Sequence, residues 1–236
     1  MNKRTAFLVP VAALSLLLMF TACTQNQVTS PEQQFGFEMG TDYELINYEQ
    51  LHEYWIKLAN ESDRMVLDTL GFTEEERPHI QAIITSPENH RNIDRYRDIA
   101  RRLAKPEGVS RSDALELAEE GKAIVWIDGG LHATEELGAH QLTELGYRMN
   151  EKNDPETLRI LDDVILLATH ANPDGQSLVS NWYMRQEDEL ERSTAGVPVL
   201  YNKYAGHDNN RDFYMAALAE SQNINTSVYR VWYPQI

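Results

Sequence analysis

The part of the sequence with the clearest chemical use is an apolar segment followed by two glycines and then by His-x-x-Glu. Residues 122–127 are short and apolar enough to form a buried strand, and Gly129 and Gly130 let the backbone turn sharply at its end. His132 and Glu135 come next, and an imidazole and a carboxylate are ligands that zinc accepts where no thiolate is available. The pattern therefore predicts half of a zinc site at the end of a strand.

A simpler interpretation of the same residues stays open. In it, His132 is a surface residue and Glu135 complements the dipole at the start of a helix. The order of strand, glycine turn and helix favours a site, because ligands of open α/β sheets bind beyond the carboxyl ends of the strands. The zinc protease signature with two histidines on one helix is absent, since residue 136 is Glu.

Apolar periodicity along the chain predicts the elements that would position these residues. Helices are predicted over residues 48–60, 91–103, 110–120, 134–150, 155–160 and 212–220. Strands are predicted over residues 80–85, 122–127 and 164–169 and in a last segment toward Ile236, with a turn at residues 172–175. Strands that alternate with helices predict an α/β layered fold.

The first residues predict the compartment. Lys3 and Arg4 precede an apolar run, which is typical of an export signal, and we predict a signal peptide over residues 1–22. Residues 20–23, Phe-Thr-Ala-Cys, resemble a bacterial lipobox, so Cys23 is predicted to carry a lipid that anchors the protein to a membrane of the bacterial cell envelope. An ordinary secretory signal, which would give a secreted or periplasmic protein, is the alternative.

Composition sets further bounds on the mature chain. Residues 23–40 are largely polar and predict a flexible tether, and residues 41–236 predict one domain. Cys23 is the only cysteine, so the sequence predicts no internal disulfide and no thiolate ligand for a metal. A formal net charge of −16 argues against nucleic acid as a partner.

Three separated pieces resemble the M14 family of zinc carboxypeptidases, the carboxypeptidase A type. They are Gly-Leu-His-Ala-Thr-Glu at residues 130–135, Asn-Pro-Asp-Gly at residues 172–175 and Asp-Asn-Asn-Arg-Asp-Phe at residues 208–213, and they come in the order of that family. The resemblance implies a three-layer α/β/α fold with a mixed central sheet. It also implies zinc as the cofactor and a peptide or protein with a free C-terminal carboxylate as the substrate.

The same resemblance implies a role for each matching residue. His132 and Glu135 would be zinc ligands, and Asp208 would accept a hydrogen bond from the zinc-binding histidine. Asn210 and Arg211 would hold the C-terminal carboxylate of the substrate, for which amide and guanidinium donors are suited.

Two further assignments concern arginine and calcium. By the same resemblance Arg185 would polarise the scissile carbonyl, although a solvated surface arginine is the alternative there and at Arg211. Residues 208–212 also have the Asp-x-Asn-x-Asp spacing of a calcium loop. That interpretation fails because Phe213 stands where a glycine is needed and Ala219 where a bidentate glutamate is needed.

Two parts of the family's machinery have no match in the sequence. The family's third zinc ligand, a histidine, and its general base, a glutamate, lie downstream of the Asn-Arg pair. After Arg211 the sequence has no histidine, and its only glutamate is Glu220, which comes too early to match the base. We therefore expect a truncated chain, incomplete at its C-terminus, whose own activity is severely impaired.

The sequence leaves two main hypotheses for function. The first is that the parent protein is a zinc-dependent metallocarboxypeptidase that hydrolyses C-terminal residues of peptides. The alternative is a non-catalytic lipoprotein that uses Asn210 and Arg211 to bind carboxylate-bearing peptides. A lipoprotein with a structural role is a third hypothesis, and it predicts no zinc uptake.

Overall fold

The structure, a computed structural model, describes residues 28–200 and 202–236. Four strands form one mixed sheet in the order β1-β2-β4-β3: β1 (Met65–Phe72), β2 (Pro78–Ile84), β3 (Ala123–Asp128) and β4 (Val164–Thr169). The pairs β1 with β2 and β2 with β4 are antiparallel, whereas β3 and β4 are parallel. Asp128 and Gln81 both pair with Thr169, so the carboxyl ends of β3 and β4 meet at one edge of the sheet.

Helices connect and cover these strands. They are α1 (Pro31–Phe35), α2 (Tyr48–Glu61), α3 (Pro87–Arg91), α4 (Ile93–Ala104), α5 (Arg111–Glu120), α6 (Leu137–Glu151), α7 (Pro155–Asp163) and α8 (Pro173–Tyr183). Short 3-10 turns follow at Glu189–Glu191 and Asn209–Arg211. The chain then forms α9 (Ala219–Asn223), a π-helical turn (Ile224–Tyr229) and α10 (Arg230–Trp232).

The sheet is apolar on both faces, and each face has its own core. Along β4, Leu166 and Ala168 pack into the core beneath α2 and α6, whereas Ile165 and Leu167 pack into the core beneath α4 and the C-terminal helical segment. Successive side chains of a strand point to opposite faces, so a strand that is apolar throughout requires cover on both sides. The predicted three-layer α/β/α arrangement with a mixed sheet is confirmed.

Most elements predicted from periodicity are present, with shifts of a few residues at their ends. Strand β1 was missed, and residues 212–220 are not one helix. There Asp212 accepts hydrogen bonds from the backbone N–H groups of Ala217 and Leu218, at 3.1 and 2.9 Å, which hold the chain in a tight turn. The last segment is mostly helical, because Val228 and Trp232 pack helically into the second core. Only its end lies along β3, where the N–H of Gln235 donates to the Ile124 carbonyl at 2.9 Å and the N–H of Trp126 donates to the Ile236 carbonyl at 2.8 Å.

The predicted turn at residues 172–175 is instead the first turn of α8. Asn172 is the helix N-cap, and its Oδ1 accepts a hydrogen bond from the N–H of Gly175 at 3.0 Å. Pro173 occupies the first helical position, where its missing N–H costs nothing. The same residue types favour turns and helix starts, which explains the error.

The flexible tether predicted over residues 23–40 is wrong for residues 28–40. Val28 is 4% exposed and belongs to the first core, and the N–H and hydroxyl of Thr29 donate to the Glu61 carboxylate at 2.7 and 2.8 Å. Ser30 and Gln33 cap α1 reciprocally. This polar segment therefore packs against the domain through a few apolar contacts and caps that composition alone does not indicate.

The predicted signal peptide, the first part of the tether and Cys23 lie outside the described residues. None of the helices formed by residues 28–200 and 202–236 has the length and apolar character needed to cross a lipid bilayer.

Candidate active site

The two predicted zinc ligands lie side by side. His132 Nδ1 is 3.1 Å from Glu135 Oε2, and both residues stand in the turn before α6, which begins only at Leu137. Bond lengths of roughly 2.0–2.2 Å to a tetrahedral zinc ion would place two ligand atoms about 3.3 Å apart. The observed separation is therefore close to that of two ligands on a common ion, and the donor set fits zinc.

Solvent can reach this pair. The side chain of His132 is 28% exposed and that of Glu135 is 74% exposed. Among residues 28–200 and 202–236, however, no group of three His, Cys, Asp or Glu side chains is arranged to hold a metal ion. The described residues thus bring one histidine and one glutamate together and place no third such side chain with them.

The glycines before His132 are required by close packing. A Cβ on Gly130 would lie 2.1 Å from Cε1 and Nε2 of His170, and one on Gly129 would lie 2.5 Å from Cγ of Leu142. Real Cβ atoms essentially never approach other atoms so closely. The backbone can therefore turn from β3 toward His132 at this depth only because both residues lack side chains.

Ala171 connects the end of β3, which leads to the His-x-x-Glu turn, with the Asn172 cap and the Asn209–Arg211 turn. Its N–H donates to Asp128 Oδ1 at 3.0 Å, at the end of β3 and just before the glycine turn. Its carbonyl accepts from Asn209 Nδ2 at 3.3 Å, within the 3-10 turn Asn209–Arg211. Ala171 itself immediately precedes Asn172, the cap of α8. Residues distant in sequence are thereby brought to the same edge of the sheet.

Asp128 was not predicted as part of the site. Burial raises the pKa of its carboxyl to about 6, even though the backbone N–H groups of Ala171, Gly129 and Gly130 and the nearby His132 act in the opposite direction. The signal that could have identified it is its position, the last residue of a strand directly before a glycine turn.

The residues from Asp208 to Arg211 differ in burial and in hydrogen bonding. Oδ1 of Asp208 is buried and has no hydrogen-bond partner in the described chain. Asn210 and Arg211 are exposed, and the one hydrogen bond recorded for the Arg211 guanidinium is from Nη1 to the Asn210 carbonyl at 3.3 Å. The following Asp212 is fully buried and lies 2.7 Å from His207 Nε2. Asn210 and Arg211, which are predicted to bind the substrate carboxylate, are therefore accessible to solvent.

Arg185 lies beyond the end of α8. Its guanidinium stacks over the ring of Trp182, with Cζ 3.6 Å from the ring centroid. Its Nη1 donates to the carbonyls of Trp182 and Ser193, the latter at 3.4 Å. None of these contacts reaches His132 or Glu135, so the structure does not join Arg185 to the pair, and its role at the scissile carbonyl stays a prediction.

Two buried histidines stand behind the site. His79 and His170 are both fully buried, and the Nε2 atom of His79 lies 2.9 Å from the His170 carbonyl. Burial lowers the pKa of His79 to about 4 and that of His170 to about 3, so both are neutral at physiological pH. The ring of His170 lies against Gly130 in the glycine turn. The sequence signal that could have identified His170 is its position directly after β4.

Some of the buried polar atoms without partners in the described chain belong to residues near this edge of the sheet. Five of them belong to Glu136, His170, Asn172, Asn202 and Asp208. Buried polar groups in folded proteins are nearly always hydrogen-bonded, and exceptions are typical of sites that bind water, ions or ligands. This edge therefore has hydrogen-bonding capacity that the described residues do not use themselves.

Residues 51–235 match the sequence model of the zinc carboxypeptidase family, Peptidase_M14. The chain belongs to this family. The match spans the His-x-x-Glu turn, the Asn-Pro-Asp-Gly cap and the Asp-Asn-Asn-Arg turn, which the structure gathers around Ala171. No curated protein sequence matches the chain.

A solved structure with a TM-score above 0.5 shares the fold over most of the chain. Thrombin activatable fibrinolysis inhibitor is similar with a TM-score of 0.51 and 12% identity, over 88% of this chain and 48% of that one. Carboxypeptidase A from Helicoverpa armigera aligns with a TM-score of 0.44 and 14% identity, over 80% of this chain and 43% of that one. The chain thus spans about half the length of the solved structures that it matches.

Proposed function

We propose that this chain is part of a zinc-dependent metallocarboxypeptidase that hydrolyses C-terminal residues of peptides. The observation that carries the proposal is the convergence on Ala171. This residue joins the strand that leads to His132 and Glu135 with the turn that carries Asn210 and Arg211. A metal site and a carboxylate-recognition site at one sheet edge are what the removal of a terminal residue requires.

Each residue has a chemical task in this proposal. Nδ1 of His132 and Oε2 of Glu135 would hold zinc, which when bound polarises a scissile carbonyl and lowers the pKa of a bound water. The unpartnered buried oxygen of Asp208 would accept the Nε2–H of His132 and so fix its tautomer. Neutral imidazole with Nδ1 as a lone-pair donor is the form that binds the metal.

The substrate would be held at its end. The Arg211 guanidinium is exposed and can pair with a C-terminal carboxylate through two parallel N–H bonds, and the neighbouring amide of Asn210 adds a donor. A peptide with an amidated C-terminus has neither the negative charge nor the second oxygen of a carboxylate. The proposed substrates are therefore peptides or proteins with a free C-terminal carboxylate.

Catalytic zinc sites generally use three protein ligands, and His132 and Glu135 are two. We therefore expect the 236-residue chain alone to bind zinc weakly and to hydrolyse peptides slowly or not at all. A longer polypeptide that contains this chain is the appropriate subject for an activity assay.

Zinc titration tests the metal assignment directly. His132→Ala and Glu135→Ala should each weaken zinc binding at least tenfold, whereas the controls His52→Ala and Glu119→Ala, on α2 and α5, should leave it unchanged. Competition with a chromogenic chelator measures the affinity. Equal zinc affinity in all four variants would remove His132 and Glu135 from the site.

A non-catalytic carboxylate-binding protein is the second candidate, and the exposure of Asn210 and Arg211 is the observation that favours it. It predicts that a peptide with a free C-terminus binds more tightly than its amidated form after zinc has been removed. Arg211→Gln should abolish the difference. Peptide hydrolysis by the longer polypeptide, lost in Glu135→Ala, would decide for the enzyme.

We also propose export as a membrane-anchored lipoprotein. Lys3, Arg4, the apolar run and the Phe-Thr-Ala-Cys segment ending at Cys23 support it. Incorporation of labelled fatty acid into the protein, lost in Cys23→Ser, tests the anchor. Release of unlabelled protein from the cells would instead indicate an ordinary secretory signal.

A further inference from the structure

A separate cavity of about 430 Å³ lies alongside α8, between this helix and the loop that joins β1 to β2. Its volume is within the range of small-ligand pockets. Its lining combines apolar, amide and charged side chains: Glu75, Arg77, Ser177, Leu178, Asn181, Trp182 and Arg185.

Arg185 lines this cavity and has an unused edge on its guanidinium. Both of its hydrogen bonds use Nη1, and within the described chain Nε and Nη2 make none. The stack on Trp182 orients the guanidinium plane, and the indole is itself held by a hydrogen bond from Nε1 to the Ala195 carbonyl at 3.1 Å. Nε and Nη2 form a fork of two parallel donors, which matches the two oxygens of a carboxylate.

Asn181 adds a donor to the same cavity. Its Oδ1 accepts a hydrogen bond from Nδ2 of Asn47 at 2.9 Å, which orients the amide and leaves its own Nδ2 without a partner in the described residues. Leu178 and Trp182 provide apolar surface beside these donors. The combination suits a carboxylate attached to a short aliphatic stem.

The other charged side chains of the lining already have partners. Arg77 pairs with Glu49, Glu75 and Asp174 at 2.6, 2.6 and 2.9 Å. Glu75 also accepts from Lys203 and Tyr204. Among the lining residues Arg185 is therefore the cation to which the described chain gives no carboxylate partner, and it is the lining group that can bind an anion.

We propose that this cavity binds the side-chain carboxylate of an aspartate or glutamate in a peptide, through Arg185 and Asn181. The proposed binding of an acidic side chain depends only on the geometry of the cavity. A role of the cavity in selecting substrates rests in addition on the proposed carboxypeptidase function, and the cavity would then favour peptides that contain an acidic residue. The carboxylate at a peptide C-terminus has the same chemistry, so the test separates the two sources.

The probe is N-acetyl-Gly-Leu-Glu-Gly-amide, which has no terminal carboxylate, with its Gln analogue as the matched ligand. Binding is measured at low salt with a zinc chelator present, by the shift of the Trp182 indole resonance. The Glu peptide should bind at least fivefold more tightly than the Gln peptide, in line with a charge-assisted but solvent-accessible pair. The Gln analogue extended by a free C-terminal carboxylate shows whether that group can substitute.

Three variants decide the outcome. Arg185→Gln and Arg185→Lys should abolish most of the preference for Glu, because lysine keeps the charge without the fork. Arg159→Gln, which removes a charge on α7, should keep the preference. Equal affinity for the Glu and Gln peptides, equal losses in Arg185→Gln and Arg159→Gln, or a response only to the free C-terminus would each overturn the proposal. Because zinc is absent throughout, the result is independent of whether the carboxypeptidase proposal holds.

Discussion

Gly130 offers the sharpest test of how the active-site turn is built. Gly130→Ala would place a methyl group 2.1 Å from two atoms of the His170 ring, where ordinary contact needs 3.4 Å or more. The ring is fully buried, and the N–H of Asn172 donates to its Nδ1 at 3.3 Å. Overpacking of a buried site costs about 1–3 kcal/mol, and loss of the hydrogen bond adds about 1 kcal/mol. We expect a loss of about 2–4 kcal/mol.

Urea denaturation measures this loss, and thermal unfolding should show a decrease in Tm of about 5–15 °C for a domain of this size. Gly146→Ala is the matched control, since its Cβ would meet only ordinary contacts at 3.4 Å and beyond and alanine favours helix. It should be neutral or stabilise by about 0.5–1 kcal/mol.

A double-mutant cycle identifies the contact responsible. His170→Ala removes the ring that the new methyl group meets, so the double variant should be more stable than the two single losses together imply, by about 1–2 kcal/mol. A Gly130→Ala protein as stable as wild type, or strictly additive losses in the double variant, would refute the close packing inferred here.

Three further perturbations follow from buried polar groups. Arg77→Met should lower the free energy of unfolding, measured by urea denaturation, by about 2–4 kcal/mol, because Asp174 is only 3% exposed and loses its cation. The control Arg159→Met should stay near wild type, and equal losses in the two variants would contradict this reason. Burial raises the pKa of Glu220 from 4.5 to about 7, so its stabilising contribution is full below pH about 4.5 and is lost as the pH rises through about 7. Glu220→Gln should therefore raise the free energy of unfolding at pH 8 by up to about 3 kcal/mol. It should also flatten the dependence of stability on pH between about 4.5 and 7. An unchanged pH dependence would show that the Glu220 carboxyl is not its source. Asn89→Ala should cost about 2–3 kcal/mol, since Asn89 Nδ2 contacts the carbonyls of Leu161 and Asp162 and the Thr85 hydroxyl at 2.9–3.0 Å; a loss below about 0.5 kcal/mol would show that water replaces it.

Elements whose apolar residues repeat locally were predictable from the sequence. Strand β4 was predicted with its observed ends, and α2 within one residue, because both have dense apolar patterns and α2 has an Asn47 cap. Strand β1 was missed. It lies at the edge of the sheet, is exposed at several positions and is interrupted by an irregularity between Thr69 and Gly71, so it lacks the pattern of a buried strand.

The candidate site divides in a similar way. The residue types and spacing of His132 and Glu135 predicted a ligand pair, and their side chains do meet. The contributions of Asp128 and His170 were not predicted, because each acts through a neighbour remote in sequence. The carboxyl of Asp128 orients the Ala171 backbone, and the ring of His170 limits how closely the glycine turn can pack.

Local sequence thus determined which residues could do chemistry and the family pattern that they form. It also determined most helices and strands, because their periodicity and capping depend on neighbours within a few positions. Tertiary structure decided which of these residues meet. Burial of both faces of the sheet brings the ends of β3 and β4 together, and this contact sets the hydrogen bonds around Ala171 and the displaced pKa of Asp128. Such properties depend on burial and on partners far along the chain, which no local pattern specifies.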